Sequence, residues 1–472
     1  MILRRLYHDR LAQASYLIAC EATRRAIVVD PLRDPAPYLE AAALEDVRIE
    51  LVTETHLHAD FLSGAEPLAR EIGAELLLSA EGVDEAGESR LLRTGARPLR
   101  HGDTISLGRV RLDVRHTPGH TPEHLMFVVT DEATSELPVG LLSGDFLFVG
   151  DVGRPDLLER AAGVVGSMQR SAADLYRSLQ TLRALPEFLQ VWPGHGAGSA
   201  CGKSLGAVPQ STLGYELRTN WAFQTRSETE FVREVLAEQP DPPAYFALMK
   251  QLNARGVAAM PRAPRLDEQT VRSRVREGAL VVDTRPFAEF LAAQLERSIS
   301  VPLGRSFLTW AGSVLDPSDD IVLLMSPHDM HAAAAVVRDL ALIGYDRVLG
   351  ALPAANLASF APRAVSSIPA VNASILDARE SGSTIVDVRS EGEWHDGHIP
   401  GAMHVPLTQL VARIDELREA PSIVVYCQSG ARSATAASVL RAAGLDDVTS
   451  ADGGYDAWIR ARAVGATAEQ SR

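Results

Sequence analysis

The 472-residue chain is poor in cysteine, with only Cys20, Cys201 and Cys427, and it has no long uncharged apolar run. Three thiols are too few for a disulfide framework, and the odd number points to a reducing compartment. A membrane-spanning helix needs about 18 or more consecutive apolar residues, and none is present. The N-terminal segment MILRRLYHDRLAQASYLIAC breaks its apolar residues with charges and lacks the core of a signal peptide. The expected location is therefore the cytoplasm. Positive charge is also short: 46 Lys and Arg face 61 Asp and Glu, a formal charge of −15. Such a surface repels phosphate backbones and anionic lipid, so no nucleic acid and no membrane is expected as a partner. Hydrophobic residues at 46% and charged residues at 23% are ordinary globular values and exclude disorder and coiled coil. At about 150 residues per domain, the length suggests about three domains.

One internal repeat organises the second half. Leu280-Val-Val-Asp-Thr-Arg285 recurs as Thr384-Ile-Val-Asp-Val-Arg389, each followed by an acidic-aromatic pair, Glu289-Phe290 or Glu393-Trp394. Val301-Pro-Leu303 and Val405-Pro-Leu407 come next, and later the apolar strands Ile321–Met325 and Ile423–Cys427 lead into Ala-rich helices. This reads as two tandem α/β modules of about one hundred residues each. Met260-Pro-Arg-Ala-Pro264 and the Pro-containing stretch from Phe360 to Pro369 read as linkers. The expected domains are 1–258, 265–358 and 370–468. Short strand-like runs such as Ala26–Val29 and Leu125–Val129 alternate with helical patterns in the first.

Histidine is concentrated in the first domain, within Thr55-His56-Leu57-His58-Ala59-Asp60, His116-Thr-Pro-Gly-His120, Ser143-Gly144-Asp145 and Pro193-Gly194-His195-Gly196. In His-x-His-x-Asp, alternate residues leaving a strand share a facing, so their donors can converge. The other three segments are Gly- or Pro-containing turns after apolar runs, where rigid scaffolds present ligands. A lone histidine usually serves a core or a turn; four ordered segments of this kind indicate a metal site. Imidazole nitrogen with carboxylate oxygen suits Zn, Fe or Mn.

These segments resemble the metallo-β-lactamase superfamily, an αββα sandwich with metal at its strand ends. Its binuclear hydrolases, such as glyoxalase II, read His-x-His-x-Asp-His, whereas here Phe61 follows Asp60. Losing that imidazole leaves Asp60 and His195, a poor pair for a second ion, so one metal is expected. The iron-dependent persulfide dioxygenases of the superfamily are the nearer resemblance, also through Ala14-Ser-Tyr-Leu17, Gly150-Asp-Val-Gly-Arg-Pro-Asp156 and the glycine-rich loop from Gly196 to Gly206. The resemblance implies one Fe(II) per chain held by His56, His120 and Asp145, with His58, Asp60 and His195 orienting ligands or water. It also makes Arg154 either a contact for substrate anions or a loop brace with Asp156. Cys201 either faces the substrate channel or is a buried inert thiol. Lys203 becomes a contact for a carboxylate or phosphate of the thiol carrier, and His116 and His124 are structural. Relatives in the superfamily are often oligomeric, so a homo-oligomer is expected.

In the last module, Val425-Tyr-Cys427-Gln-Ser-Gly-Ala-Arg432-Ser433 runs from a strand into a helix. A thiolate there sits among backbone N–H groups at a helix N-terminus, which together with Arg432 lower its pKa. A buried Cys at a strand end is the bland alternative, made less apt by the Cys-x4-Arg spacing. The segment resembles rhodanese sulfurtransferases, which makes Cys427 the nucleophile that carries sulfur as a persulfide and Arg432 its catalytic partner. Asp387, Arg389 and Glu393 then brace the fold. In the first copy Met325 and Met330 occupy the equivalent positions, so that module is expected to be chemically silent. Together these resemblances imply oxidation of a low-molecular-weight thiol persulfide by O2 to sulfite and thiol, with sulfur transfer through Cys427 giving thiosulfate. The alternative is a glyoxalase II-type thioester hydrolase with an appended sulfurtransferase.

Overall fold

A computed structural model describes residues 1–469 except 84, 161–164, 262–266, 356, 361–364 and 377–381. They form two compact units, one of 1–261 with 342–344 and one of the remainder. The first expected linker lies largely outside the described residues. Part of the second does not behave as a linker: Val365–Ser366 pairs antiparallel with Gln294–Leu295.

The first unit is built on two six-stranded sheets. The strands are β1 Ile2–His8, β2 Gln13–Ala19, β3 Arg25–Val29, β4 Arg48–Thr53, β5 Glu75–Ser79, β6 Arg97–Leu99, β7 Thr104–Ser106, β8 Val110–His116, β9 Leu125–Asp131, β10 Gly140–Gly144, β11 Gln190–Pro193 and β12 Ser211–Thr212. One sheet runs β1 to β6 in order, and the other runs β12-β11-β10-β9-β8-β7. The period-two alternation of each strand assigns its residues to layers. Ala14, Tyr16 and Ile18 of β2 meet Leu125, Phe127 and Val129 of β9 in the core between the sheets. Leu17 and Ala19 face the other way, onto Tyr38, Ala42 and Leu68 of the helices Ala36–Leu44 and Ala65–Ile72. Met126 and Val128 likewise face Leu175 and Leu179 of the helix Met168–Thr181. Strands buried on both faces read as continuous apolar runs. The result is the expected α/β architecture, an αββα sandwich.

The second unit holds two sheets of one strand order. Its strands are β13 Leu280–Asp283, β14 Gln294–Leu295, β15 Ile299–Ser300, β16 Ile321–Met325, β17 Val348–Pro353, β18 Val365–Ser366, β19 Ala370–Asn372, β20 Thr384–Asp387, β21 Met403–His404, β22 Ile423–Tyr426 and β23 Val448–Asp452. The parallel order β15-β13-β16-β17 recurs as β21-β20-β22-β23, with β19 added at the far edge. The repeated Asp-x-Arg is a buried brace in both copies. Arg285 is hydrogen-bonded to both carboxylate oxygens of Asp283 and to the Ala293 carbonyl. Arg389 does the same with Asp387 and the Gly397 carbonyl.

Removing one partner of a buried ion pair strands the other charge, at about 3–5 kcal/mol. Arg389→Ala should therefore lower the thermal midpoint sharply. The double variant Asp387→Asn with Arg389→Met should regain much of that loss, as read by calorimetry.

Candidate metal centre and nucleophile loop

Four strand ends converge in the first unit. Thr55 to His58 follow β4, the loop to His120 follows β8, Asp145 follows β10 and His195 follows β11. His56, His120 and Asp145 are all buried, and one ligand atom from each lies within 4.8 Å of the others. The Nε2 atoms of His56 and His120 stand 3.9 and 3.7 Å from Asp145 Oδ2. That oxygen and His120 Nδ1 are buried and have no hydrogen-bond partner among the described residues. An unpaired carboxylate oxygen in a dry interior is costly, and a cation between the three donors removes the cost. Two imidazoles and a carboxylate suit Fe or Zn, so the residues fit the metal that the resemblance implies.

Neighbouring residues set the donors' orientation. Asp30 Oδ1 and Oδ2 accept from the Thr55 N–H and hydroxyl at 2.6 and 2.9 Å. The Thr55 oxygen in turn lies 2.9 Å from His56 Nδ1, so this nitrogen donates and the Nε2 lone pair is left for the site. His124, fully buried, accepts the Asp145 N–H at Nε2 and reaches Thr117 Oγ1 through Nδ1. At Gly144, φ is +52°, and a Cβ would fall 2.7 Å from both His124 Nε2 and Thr55 Oγ1. Only glycine fits between these supports. Burial, with His58 and His120 nearby, holds the His56 pKa well below its ordinary value, which keeps it neutral for coordination.

The remaining predicted residues divide. His58 turns from the triad to Asp30, 3.1 Å away, and its ring lies against the buried Phe61. His195 links two carboxylates, with Nδ1 2.7 Å from Asp145 Oδ1 and Nε2 2.8 Å from Asp60 Oδ2. Burial would lower its pKa, but Asp145 and Asp60 raise it well above the usual histidine range. Asp60, His195 and Cys201 form a second buried group of donors within 4.8 Å. The sequence pairs only Asp60 with His195; the loop after β11 brings in the thiol as a third. Burial, then Asp60 and Asp145, push the Cys201 pKa well up, so it is a protonated thiol.

Two basic residues near the motifs are already engaged. Arg154 has no exposed surface and is bound to Asp156, the Ala200 carbonyl and the Pro240 carbonyl, the arrangement of the loop brace that was one of its two readings. The Lys203 ammonium lies 3.0 Å from the Ala237 carbonyl and 3.6 Å from Glu238. His116 bonds the Pro122 carbonyl and shapes the loop that carries His120.

In the second unit, Cys427 follows β22 and is buried. Its sulfur accepts the Gly430 N–H at 3.1 Å and donates to Ser433 Oγ at 3.8 Å, before the helix Ala431–Ala442. Arg432 makes a two-pronged pair with Glu393 at 2.7 and 2.6 Å. Burial raises the Glu393 carboxyl, but Arg432 outweighs it and brings the pKa to about 2. Glu393 therefore aims Arg432 as well as bracing the fold. Met325 ends β16 fully buried, with no thiol to offer.

A fold of this kind, with donors at its strand ends, defines a metal-dependent enzyme class, and the comparisons agree. Residues 8–195 match the metallo-beta-lactamase superfamily, and 372–461 match the rhodanese-like domain. A crystal structure of a metallo-beta-lactamase from Staphylococcus aureus is 39% identical, covering 75% of this chain and 99% of that one, with a TM-score of 0.68. The chain belongs to the metallo-β-lactamase superfamily and carries a C-terminal rhodanese-like domain. Mitochondrial persulfide dioxygenase ETHE1 of Mus musculus is 28% identical over 41% of this chain and 68% of its own. A probable polyketide biosynthesis zinc-dependent hydrolase of Bacillus velezensis is 26% identical over 48% of this chain and 88% of its own.

Thr55→Val removes the hydroxyl between Asp30 and His56 while keeping the shape. Outer supports of this type are worth about 10–100-fold in metal affinity, and a loss of that size is expected in competitive chelator titration, with the fold intact by circular dichroism.

Proposed function

We propose that the chain oxidises a low-molecular-weight persulfide with dioxygen at His56, His120 and Asp145 and transfers sulfane sulfur through Cys427. The overall first reaction is R–S–S⁻ + O2 + H2O → R–S⁻ + SO3²⁻ + 2H⁺. The observation that carries this reading is the buried two-His-one-carboxylate group with its open Asp145 oxygen; the similarity to a persulfide dioxygenase supports it. A single Fe(II) at the three donors, when bound, supplies open coordination positions and the redox chemistry dioxygen requires. The chain's own residues do the rest. Thr55 and Asp30 orient His56, and His124 holds the Asp145 backbone. His195 fixes the second oxygen of Asp145 and keeps a proton between two carboxylates. Phe61 closes the wall beside His58 and excludes water from that side.

In the second unit the Cys427 sulfur takes the outer sulfur of a persulfide, R–S–S⁻ + Cys427–S⁻ + H⁺ → R–S⁻ + Cys427–S–SH. The Gly430 N–H and the helix start stabilise negative sulfur there. Sulfite then takes that sulfur, Cys427–S–SH + SO3²⁻ → Cys427–S⁻ + S2O3²⁻ + H⁺. The topological copy around Met325 has no nucleophile and serves as scaffold; its Ser300 N–H is bonded to Ser438 of the helix after Cys427.

A second reading, thioester hydrolysis, is favoured by one observation: Asp60, His195 and Cys201 could hold a second ion. A zinc-dependent hydrolase among the similar proteins supports it. The experiment is oxygen uptake by iron-loaded protein with a thiol persulfide, alongside metal analysis. One iron per chain with uptake and sulfite release is expected; two zinc ions with thioester turnover and no uptake would overturn the dioxygenase reading. Cys427→Ser should abolish thiosulfate formation while leaving oxygen uptake close to normal.

A further inference from the structure

A cavity of about 250 Å³ opens beside the metal donors and shares His56 with them. It lies at the ends of β4 and β5, under the helices Glu85–Thr94 and Phe246–Arg255. Ligand clefts commonly measure about 300–1,000 Å³, so this one suits a narrow arm rather than a bulky headgroup. Leu57, Leu78, Val83, Leu91, Pro122 and Leu158 give it an apolar wall. Several polar groups on it already have partners, although Arg90 Nε has no hydrogen-bond partner among the described residues. Glu54 and Arg90 form a buried ion pair at 2.7 Å, and Glu123 Oε1 accepts the Leu57 N–H at 2.9 Å. Lys250 differs: it lines the cavity, is partly exposed, has no hydrogen-bond or ion-pair partner among the described residues, and its charge acts on His120.

Each polar group of a bound carrier that the wall cannot answer loses its water without compensation. A carrier with charged groups close to its sulfur would meet leucines there. One with an uncharged, weakly polar arm and a single anionic end would meet none of these penalties and would place the anion on a cation without a partner.

We propose that the cavity receives the arm of the thiol carrier, that this arm is uncharged and largely apolar, and that Lys250 binds an anionic group at its far end. The inference rests on the persulfide reading above and goes further by naming the carrier's chemistry. Carboxylate and phosphate ends share it.

The probes are ω-mercaptoalkanoates of increasing chain length, the matching mercaptoalkanols, ω-mercaptoalkyl phosphates and glutathione. Their binding to the metal-loaded full chain is measured by calorimetry, and their persulfides are tested for oxygen uptake. Affinity should rise with chain length until the anion reaches Lys250. At that length the acid should exceed the alcohol by about tenfold or more, as for one charge-assisted hydrogen bond, with glutathione weaker than both. Lys250→Met should erase the acid–alcohol difference, and Lys250→Arg should restore it. The phosphate series tells which anion the lysine prefers. Binding that ignores chain length, end group and Lys250 would overturn the proposal even where oxygen uptake occurs. Lys250-dependent binding without any oxygen uptake would leave the proposal standing and remove the dioxygenase reading instead.

Discussion

The first unit depends on one carboxylate buried with unequal oxygens. Asp145 has no exposed surface; Oδ1 is held by His195, and Oδ2 faces two imidazoles with no hydrogen bond. Desolvating a charge in this way is unfavourable unless another charge answers it. Burial alone would raise its pKa, yet His195, and after it His120 and His58, press it below the ordinary carboxylate range. The group stays an anion in a dry site, which is the state that a divalent cation requires. The close approaches around it follow. A Cβ on Gly194 would sit 2.6 Å from Asp145 Oδ1, and one on Gly144 would collide with both supports of the donor set.

The sandwich makes this arrangement affordable to the fold by fixing the four strand ends independently. Each end is anchored by strands whose alternate residues are locked into different cores, so no donor relies on a loop alone. Between Leu142 and Gly144 the pairing of β10 with β11 shifts register. Such an irregularity re-aims the next side chain, and the next side chain is Asp145.

Much of this was legible in the sequence because donors repeat a pattern that chemistry restricts. His-x-His-x-Asp, the turn before His120 and Gly-Asp at 144–145 stand out by residue type and by their place after apolar runs. Asp30 was not legible as a support, and His124 only as a structural residue without its partner Asp145. Asp30 follows β3 as one acid among many, and its partners Thr55 and His58 lie on the neighbouring strand's exit. The basic residues show the same limit. Arg154 sits near motif residues with two readings open, and its burial and pairing with Asp156, which sequence does not display, match the brace. Lys250 carries no motif at all; a helix from the end of the unit brings it to the cavity. Cys201 was visible as a residue with two readings, and only the turn after His195 places it beside Asp60.

The duplicated sheets separate what a fold must keep from what chemistry can lose. Both copies retain Asp-x-Arg, because each aspartate is fully buried and would be left charged and unpaired without its arginine. The position after the central strand obeys no such rule. Met325 and Cys427 are equally buried there, since a thioether and a thiol both pass as apolar side chains in a packed interior. The thioether at Met325 has no S–H where Cys427 has one. Sheet order and brace thus persist in both copies, and the first also contributes packing through the hydrogen bond from Ser300 to the helix that begins after Cys427.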